Sequence, residues 1–208
     1  IKTNFVPDPS PGDGRGNYAL FVGRLSPEKG IRTLLQAWER LGGKIPLKIA
    51  GDGPLAGDVA DAQGRLPGVE WLGRLAPADV TTAMQEAALL IFPSEWYEGQ
   101  PRTILESFAV GTPVVAADLG AMGELIRADH TGVHFRPGDP GDLARAVEEV
   151  FANPTALARM RARTRAEFEA RYTAEENYRQ IIDIYRLVAE ERRQAGSERT
   201  PSVNGTAH

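Results

Sequence analysis

The sequence predicts an α/β fold, a doubly wound (Rossmann-like) six-stranded parallel sheet with helices on both faces. Three observations lead there. Short, nearly all-apolar runs alternate with helix-period segments along most of the chain. Strands that are apolar throughout are those covered on both faces. Six such strands, each separated by a helix long enough for a crossover, imply parallel pairing and right-handed connections.

Residues 18–22 read as the first strand. The turn Gly23-Arg24-Leu25-Ser26-Pro27-Glu28-Lys29-Gly30 follows, with Ser26 placed as an N-cap and Pro27 at the first helical position. Ile31, Leu34, Leu35, Trp38 and Leu41 then share one helical face. The second strand, 47–50, leads through Gly51-Asp52-Gly53-Pro54 into a helix reaching residue 65. A third strand, 69–72, leads through Gly73-Arg74 into a helix over 77–88. Strand four, 89–92, is followed by a loop and a helix beginning near Pro101. Strand five, 113–116, precedes a loop with Gly120 and Gly123 and a short helix. The sixth strand is 132–135, after which Asp139-Pro140 opens a helix with Leu143, Val147, Val150 and Phe151 on one face. Two more helices cover 154–171 and 173–192, the second with Thr173 and Glu176 as a capping box. Its apolar stripe of Tyr178, Ile181, Ile182, Tyr185 and Val188 needs something to bury it.

The composition narrows the function classes. With 42% hydrophobic and 25% charged residues in 208, the chain is ordinary globular material. A net charge of −4 sets up no strong field for nucleic acid or an anionic membrane. The lack of cysteine excludes disulfides and thiolate metal sites, and it fits a cytoplasmic protein. His130, His134 and His208 are not spaced as metal ligands. No run approaches the ~20 apolar residues that cross a bilayer. A start at Ile1 without a signal-peptide pattern reads as a piece of a longer chain.

In an open parallel sheet, ligands bind beyond the carboxyl ends of the strands. The unusual residues lie there. Glycine lets backbone approach a ligand, and helix N-termini offer free N–H groups to anions. Arg24 and Lys29 put two cations in the first such turn, as a diphosphate requires, although surface charges would read the same way. After strand four, Glu98 lies in the loop and Glu106 in the next helix, beside Ile104, Leu105 and Phe108. A carboxylate among such neighbours must be paired or ligand-bound. The two could accept hydroxyls, one from a ribose and one from a hexose, with helix-start N–H groups on phosphates between them. The alternative pairs Glu106 with a nearby arginine and leaves Glu98 as a surface charge. Trp96-Tyr97 before Glu98 reads equally as part of a sugar subsite or as a packing cluster. A dinucleotide fingerprint, a Walker loop and a nucleophile elbow are all missing.

The pair Glu98 and Glu106, with seven residues between them, resembles the Glu-x7-Glu motif of the retaining, GT-B-fold glycosyltransferases called glycosyl transferases group 1. Gly23-Arg24-Leu25 with Glu28-Lys29-Gly30 resembles that family's diphosphate loop, and Trp71-Leu72-Gly73 its segment against the nucleobase. The segments 50–54, 111–116 and 132–139 are similar too, and Asn4-Phe5-Val6-Pro7 resembles its hinge. The resemblance runs over residues 1 to 190 in order. It implies transfer of a sugar from a UDP- or GDP-sugar to an acceptor hydroxyl with retained configuration, in glycan or glycolipid synthesis, without a metal or other cofactor. Arg24 and Lys29 would bind the diphosphate, Glu98 the transferred sugar, Glu106 the ribose, and Leu72 would lie beside the base. The backbone at Gln100, Arg102 and Thr103 would contact sugar and phosphate. Two departures affect the sugar pocket: Pro101 has no N–H to donate, and Ala121 replaces a second glycine common in relatives.

The implied organisation is an interdomain hinge at 1–15, a nucleotide-sugar-binding domain at 16–172, a crossover-type helix at 173–193 and a disordered tail at 194–208. The partner would be an N-terminal acceptor-binding half, through which any peripheral membrane association would come, and the present half alone would be inactive. An epimerase or phosphorylase would share the fold, though no segment matches a pyridoxal-phosphate lysine site. A non-catalytic binding or scaffolding module is the third reading, and retention of all four charged residues argues against it.

Overall fold

The computed structural model describes residues 4–197. Its six strands are β1 (Ala19–Val22), β2 (Leu47–Ala50), β3 (Val69–Gly73), β4 (Leu89–Phe92), β5 (Val114–Ala117) and β6 (Gly132–Phe135). They form one all-parallel sheet in the order β3-β2-β1-β4-β5-β6. Chain order reverses direction between β1 and β4, so the carboxyl ends of these two central strands face the crevice.

Eight α-helices are described: α1 (Ile31–Leu41), α2 (Ala56–Arg65), α3 (Pro77–Glu86), α4 (Arg102–Ala109), α5 (Ala121–Leu125), α6 (Pro140–Phe151), α7 (Pro154–Arg171) and α8 (Ala174–Ser197). The two-residue period of a strand sorts its side chains between two cores. Phe21, Ile49, Ile91 and Val115 pack under α1, α2 and α6 with Leu34, Trp38, Val59 and Val147. Leu20, Leu90, Phe92 and Val114 pack under α3, α4 and α7 with Met84, Ile104, Phe108 and Phe168. Burial on both faces is why β1, β4 and β5 are apolar at every position, while Lys48 in β2 and Glu70 in the edge strand β3 break the apolar run.

Several expectations are adjusted. Ser26 does precede a helical turn, but Pro27–Lys29 is a single 3₁₀ turn and the Ser26 side chain does not cap it. Gly30, at φ 69°, ends that turn, and α1 begins at Ile31. The helix expected over 77–88 stops at Glu86, because Ala88 N–H already pairs with the Tyr18 carbonyl as β4 begins. The Arg161 guanidinium donates to the Ala87 carbonyl at 2.8 Å, covering this helix end.

The stretch expected as a hinge is laid against the domain. Gly12, Gly14 and Gly16 donate their N–H groups to the carbonyls of Val110, Gln85 and Glu86. Arg165 binds Asp8 at 2.7 Å, and Val6 is buried in the second core. At the other end α8 continues through 194–197, where a tail was expected; the remainder of that tail, 198–208, lies outside the described residues.

The capping box is seen in its first half, Glu176 N–H donating to Thr173 Oγ1 at 3.2 Å. The α8 stripe is largely open: Tyr178, Tyr185 and Val188 are exposed, as are Ile184 and Leu187, while Ile181 and Ile182 are half-buried. With few tertiary contacts, α8 belongs to the low-stability end of the fold. Amide exchange over 178–190 is therefore expected to outpace exchange in α1, and the chain is expected to self-associate as concentration rises. Strong protection of 178–190 in a monomer would contradict both. No described helix is long and apolar enough to cross a membrane.

Candidate functional site

Three cavities meet at Val22, the last residue of β1. The largest, about 660 Å³, lies over the carboxyl ends of β1, β2 and β3 and is lined by Gly23, Arg24, Asp52, Arg74, Leu75 and Val80 among others. A second, about 370 Å³, shares Leu75 and Val80 with the first and extends to Arg102 and Glu106 on α4. A third, about 40 Å³, runs between Lys29, Ser94 and Thr103.

The turns after β1 and β4 are bound together. Lys29 Nζ donates to Glu98 Oε1, 69 positions away in the sequence, and the Ser94 hydroxyl stands 3.0 Å from the same oxygen. Both partners of the ion pair are mostly covered, with side-chain exposures of 29% and 22%. Glu95 N–H donates to the Glu28 carbonyl at 3.0 Å, and the Glu95 carboxylate accepts from the Thr33 hydroxyl at 2.5 Å. Gly30 makes the approach possible, since a Cβ there would sit 1.9 Å from the Pro93 carbonyl oxygen. Gly51 does the same between β2 and β1, where a Cβ would meet the Gly23 carbonyl at 1.8 Å. These glycines bring backbone against backbone, not backbone against a ligand as the turns alone suggested. They shape the cavity by closing its floor.

Helix α4 points its start at the site. The first bond from within it is Ile104 N–H to the Pro101 carbonyl, so the N–H groups of Arg102 and Thr103 precede the intrahelical ladder. Glu106 pairs with Arg102 at 2.8 Å, one turn earlier. Ile104, Leu105 and Phe108 face the core, and the helical period puts Glu106 on the opposite, partly open side. Its carboxylate is therefore paired, and it is not desolvated by those neighbours.

The glycosyl transferases group 1 model matches residues 5–167. The chain belongs to that family. Members with similar sequences include glycogen synthase of Mycobacterium tuberculosis, 34% identical over 146 residues (67% of this chain, 35% of that one). Another is O-antigen chain mannosyltransferase C of Escherichia coli, 30% identical over 178 residues (84% and 47%). Among solved structures, Anabaena HepE in complex with UDP superposes with a TM-score of 0.75 at 24% identity, covering 82% of this chain and 49% of that one. TarM superposes with a TM-score of 0.76 at 19% identity, covering 88% and 38%. At these identities the structures establish the fold, a GT-B-type sheet. The chain spans about half or less of the length of these relatives.

Within this glycosyltransferase fold the structure gathers Arg24, Lys29, Glu98, Arg102, Thr103 and Glu106 around the three cavities. Glu98 is not a surface charge. Leu72 is half-buried and is not among the residues lining any of the three, whereas Leu75 lines two. The Gln100 side chain turns to the entering segment, its Oε1 accepting from Asn4 N–H at 2.6 Å. Trp96 and Tyr97 are 67% and 75% exposed, so they are not a packing cluster. His134 is half-buried with Nε2 on the Ile126 carbonyl at 2.7 Å, a structural contact. Among the described residues no group of three or more His, Asp or Glu is placed to hold a metal.

Sequence reasoning passed over Arg74. Its signal was present, because Gly-Arg-Leu-x-Pro occurs twice, at 23–27 after β1 and at 73–77 after β3.

Glu106→Gln is expected to weaken nucleotide binding by about ten- to a hundredfold, the scale of one hydrogen bond to a charged acceptor. Calorimetry with UDP and GDP tests it; affinity equal to the parent's would remove Glu106 from the nucleotide site.

Proposed function

We propose that the chain is the donor-binding half of a retaining sugar transferase acting in glycan or glycolipid synthesis. The observation that carries this is the Lys29–Glu98 pair beside Arg24, at the point where the three cavities meet. One carboxylate and two cations stand where a sugar joined to a diphosphate needs them. Arg24 and Lys29 balance charge on the diphosphate as it leaves, without a metal. The N–H groups of Arg102 and Thr103, and the backbone near Gln100, face the phosphate and sugar oxygens. Glu106 accepts from the ribose hydroxyls in the second cavity, and β3 with Leu72 flanks the base.

In the reaction the bond from the anomeric carbon to the diphosphate oxygen breaks, and the electron pair leaves with the nucleoside diphosphate. The acceptor oxygen bonds that carbon on the face the diphosphate leaves and passes its proton to the departing phosphate oxygen, so the configuration is retained. The acceptor is held by the half of the relatives' length that this chain does not span. UDP in the HepE complex, and UDP with glucose in a second HepE complex, support a uridine donor, with guanosine the other option.

Thermal unfolding with UDP-, GDP- and ADP-sugars tests the assignment. A ligand at a hundred times its Kd adds about 2.7 kcal/mol of stability, and the matching donor should raise Tm accordingly. No shift with any nucleotide would defeat the nucleotide reading. The 208-residue chain is expected to bind nucleoside diphosphate and transfer nothing by itself. Sugar transfer by this chain alone would show that it is not a half.

A further inference from the structure

We propose that Trp96 and Tyr97 form a stacking platform for the acceptor, taking an uncharged sugar ring against their exposed faces. The inference rests on the proposed sugar-transfer reading. It adds an acceptor contact on this chain, facing the half that holds the acceptor.

The two rings are unusual within this fold. Trp38 and Trp71 donate their indole N–H groups to the carbonyls of Ile45 and Gly51, at 2.9 and 3.0 Å. Trp96 and Tyr97 are exposed, and among the described residues neither the Trp96 indole N–H nor the Tyr97 hydroxyl has a partner in the protein. The backbone beneath them is nonetheless held at both ends. Glu95 N–H donates to the Glu28 carbonyl and the Glu95 carboxylate accepts from Thr33, while Glu98 is bound by Lys29 and Ser94. Tyr97 lies against the turn after β5, where a Cβ on Gly120 would come 2.9 Å from the ring carbon Cδ1. Gly120, at φ 56°, gives the ring that room. Two large apolar faces are thus held open on a braced loop, which is the character of a recognition surface and not of a core.

Position and chemistry select the occupant. Neither ring lines the three cavities that meet at Val22, so both stand outside the donor pocket. Two residues of chain span at most about 7 Å, so Trp96 is within a sugar ring's reach of Glu98. The acceptor oxygen has to bond the anomeric carbon of the sugar that Glu98 contacts, and this brings the acceptor to the same rim. A pyranose carries hydroxyls around its edge and C–H groups on its faces. A flat aromatic ring matches the face, and the indole N–H and phenol hydroxyl can pair with hydroxyls at the edge. Glu95 is exposed and, among the described residues, has no ion-pair partner, so a ring bearing a carboxylate or phosphate meets repulsion there.

Titration of the isotope-labelled chain with maltotriose, a neutral trisaccharide, and with glucuronate, each with and without saturating UDP, tests the proposal by NMR. The Trp96 indole signal and the Gly120 amide are expected to shift with maltotriose in the millimolar range, equally with and without UDP, while the Trp38 indole signal stays in place. Glucuronate should bind several-fold more weakly. Trp96→Ala, followed on the Gly120 amide, is expected to lose on the order of tenfold in maltotriose affinity, and Trp96→Phe, which keeps a ring face, to recover part of the loss. Both variants should keep the parent's UDP affinity and unfolding temperature. A Trp96 indole signal unmoved by maltotriose, or equal maltotriose affinity in Trp96→Ala, would sink the platform, while UDP binding would leave the nucleotide reading standing. Displacement of maltotriose by UDP would put the rings in the donor pocket and overturn the acceptor role. If the chain binds neither UDP nor maltotriose, both readings fall.

Discussion

Lys29→Ala is expected to weaken UDP or GDP binding about ten- to a hundredfold, and Arg24→Ala to do the same, each losing roughly 1.5–3 kcal/mol of charge-assisted contact. The two variants differ in what they do to the free protein. Arg24 is exposed in the largest cavity, so its removal costs the fold little. Lys29 is held by Glu98, and its removal leaves that mostly covered carboxylate with Ser94 as its remaining partner. A small fall in Tm should therefore accompany Lys29→Ala alone. Both losses should shrink in high salt, because the ligand contact is electrostatic. Unchanged affinity in both variants, measured by calorimetry, would take the diphosphate away from this turn.

Glu98→Gln is expected to separate binding from chemistry. In the ligand-free chain the Glu98 carboxylate and an incoming phosphate compete for one ammonium, Lys29 Nζ. Neutralising Glu98 frees Lys29, so nucleoside diphosphate affinity should hold or rise. Turnover in the full-length parent should fall by on the order of 10²–10³, the scale of removing one group that acts on the developing charge of the transition state. Glu106→Gln should do the reverse, lowering affinity with less effect on turnover. The double variant Lys29→Ala/Glu98→Gln measures the coupling directly, since two residues in contact should depart from additivity. Equal losses of nucleotide affinity for Glu98→Gln and Glu106→Gln would contradict the division of roles.

The sheet was legible because its determinants are local and repeated. Leu89–Phe92 is apolar at every position, and a run of that length with glycine and proline turns around it has one good solution, a strand covered on both faces. Ile31, Leu34, Leu35, Trp38 and Leu41 fell on one helical face for a similar reason, and all five are buried. Boundaries moved where a long-range contact intervened, as at Ala88, claimed for the sheet by Tyr18. Residues 1–15 read as an interdomain hinge through the family resemblance, and glycine and proline are frequent in them. That composition carries no sign of the carbonyls of Gln85, Glu86 and Val110, which take up the N–H groups of Gly12, Gly14 and Gly16.

By itself the sequence determined the fold class, the family and the set of charged residues at the strand ends, since periodicity, turn chemistry and the Glu98–Glu106 spacing are properties of neighbours in the chain. Tertiary structure alone decided how those charges are used. Lys29 meets Glu98 because β1 and β4 are adjacent in the sheet, although Val22 and Phe92, the last residues of the two strands, lie 70 positions apart in the sequence. Arg74 shares a cavity with Arg24 because β2 places β3 two strands away from β1. Such pairings depend on strand order, which is set by how the crossovers pack and not by any residue's near neighbours.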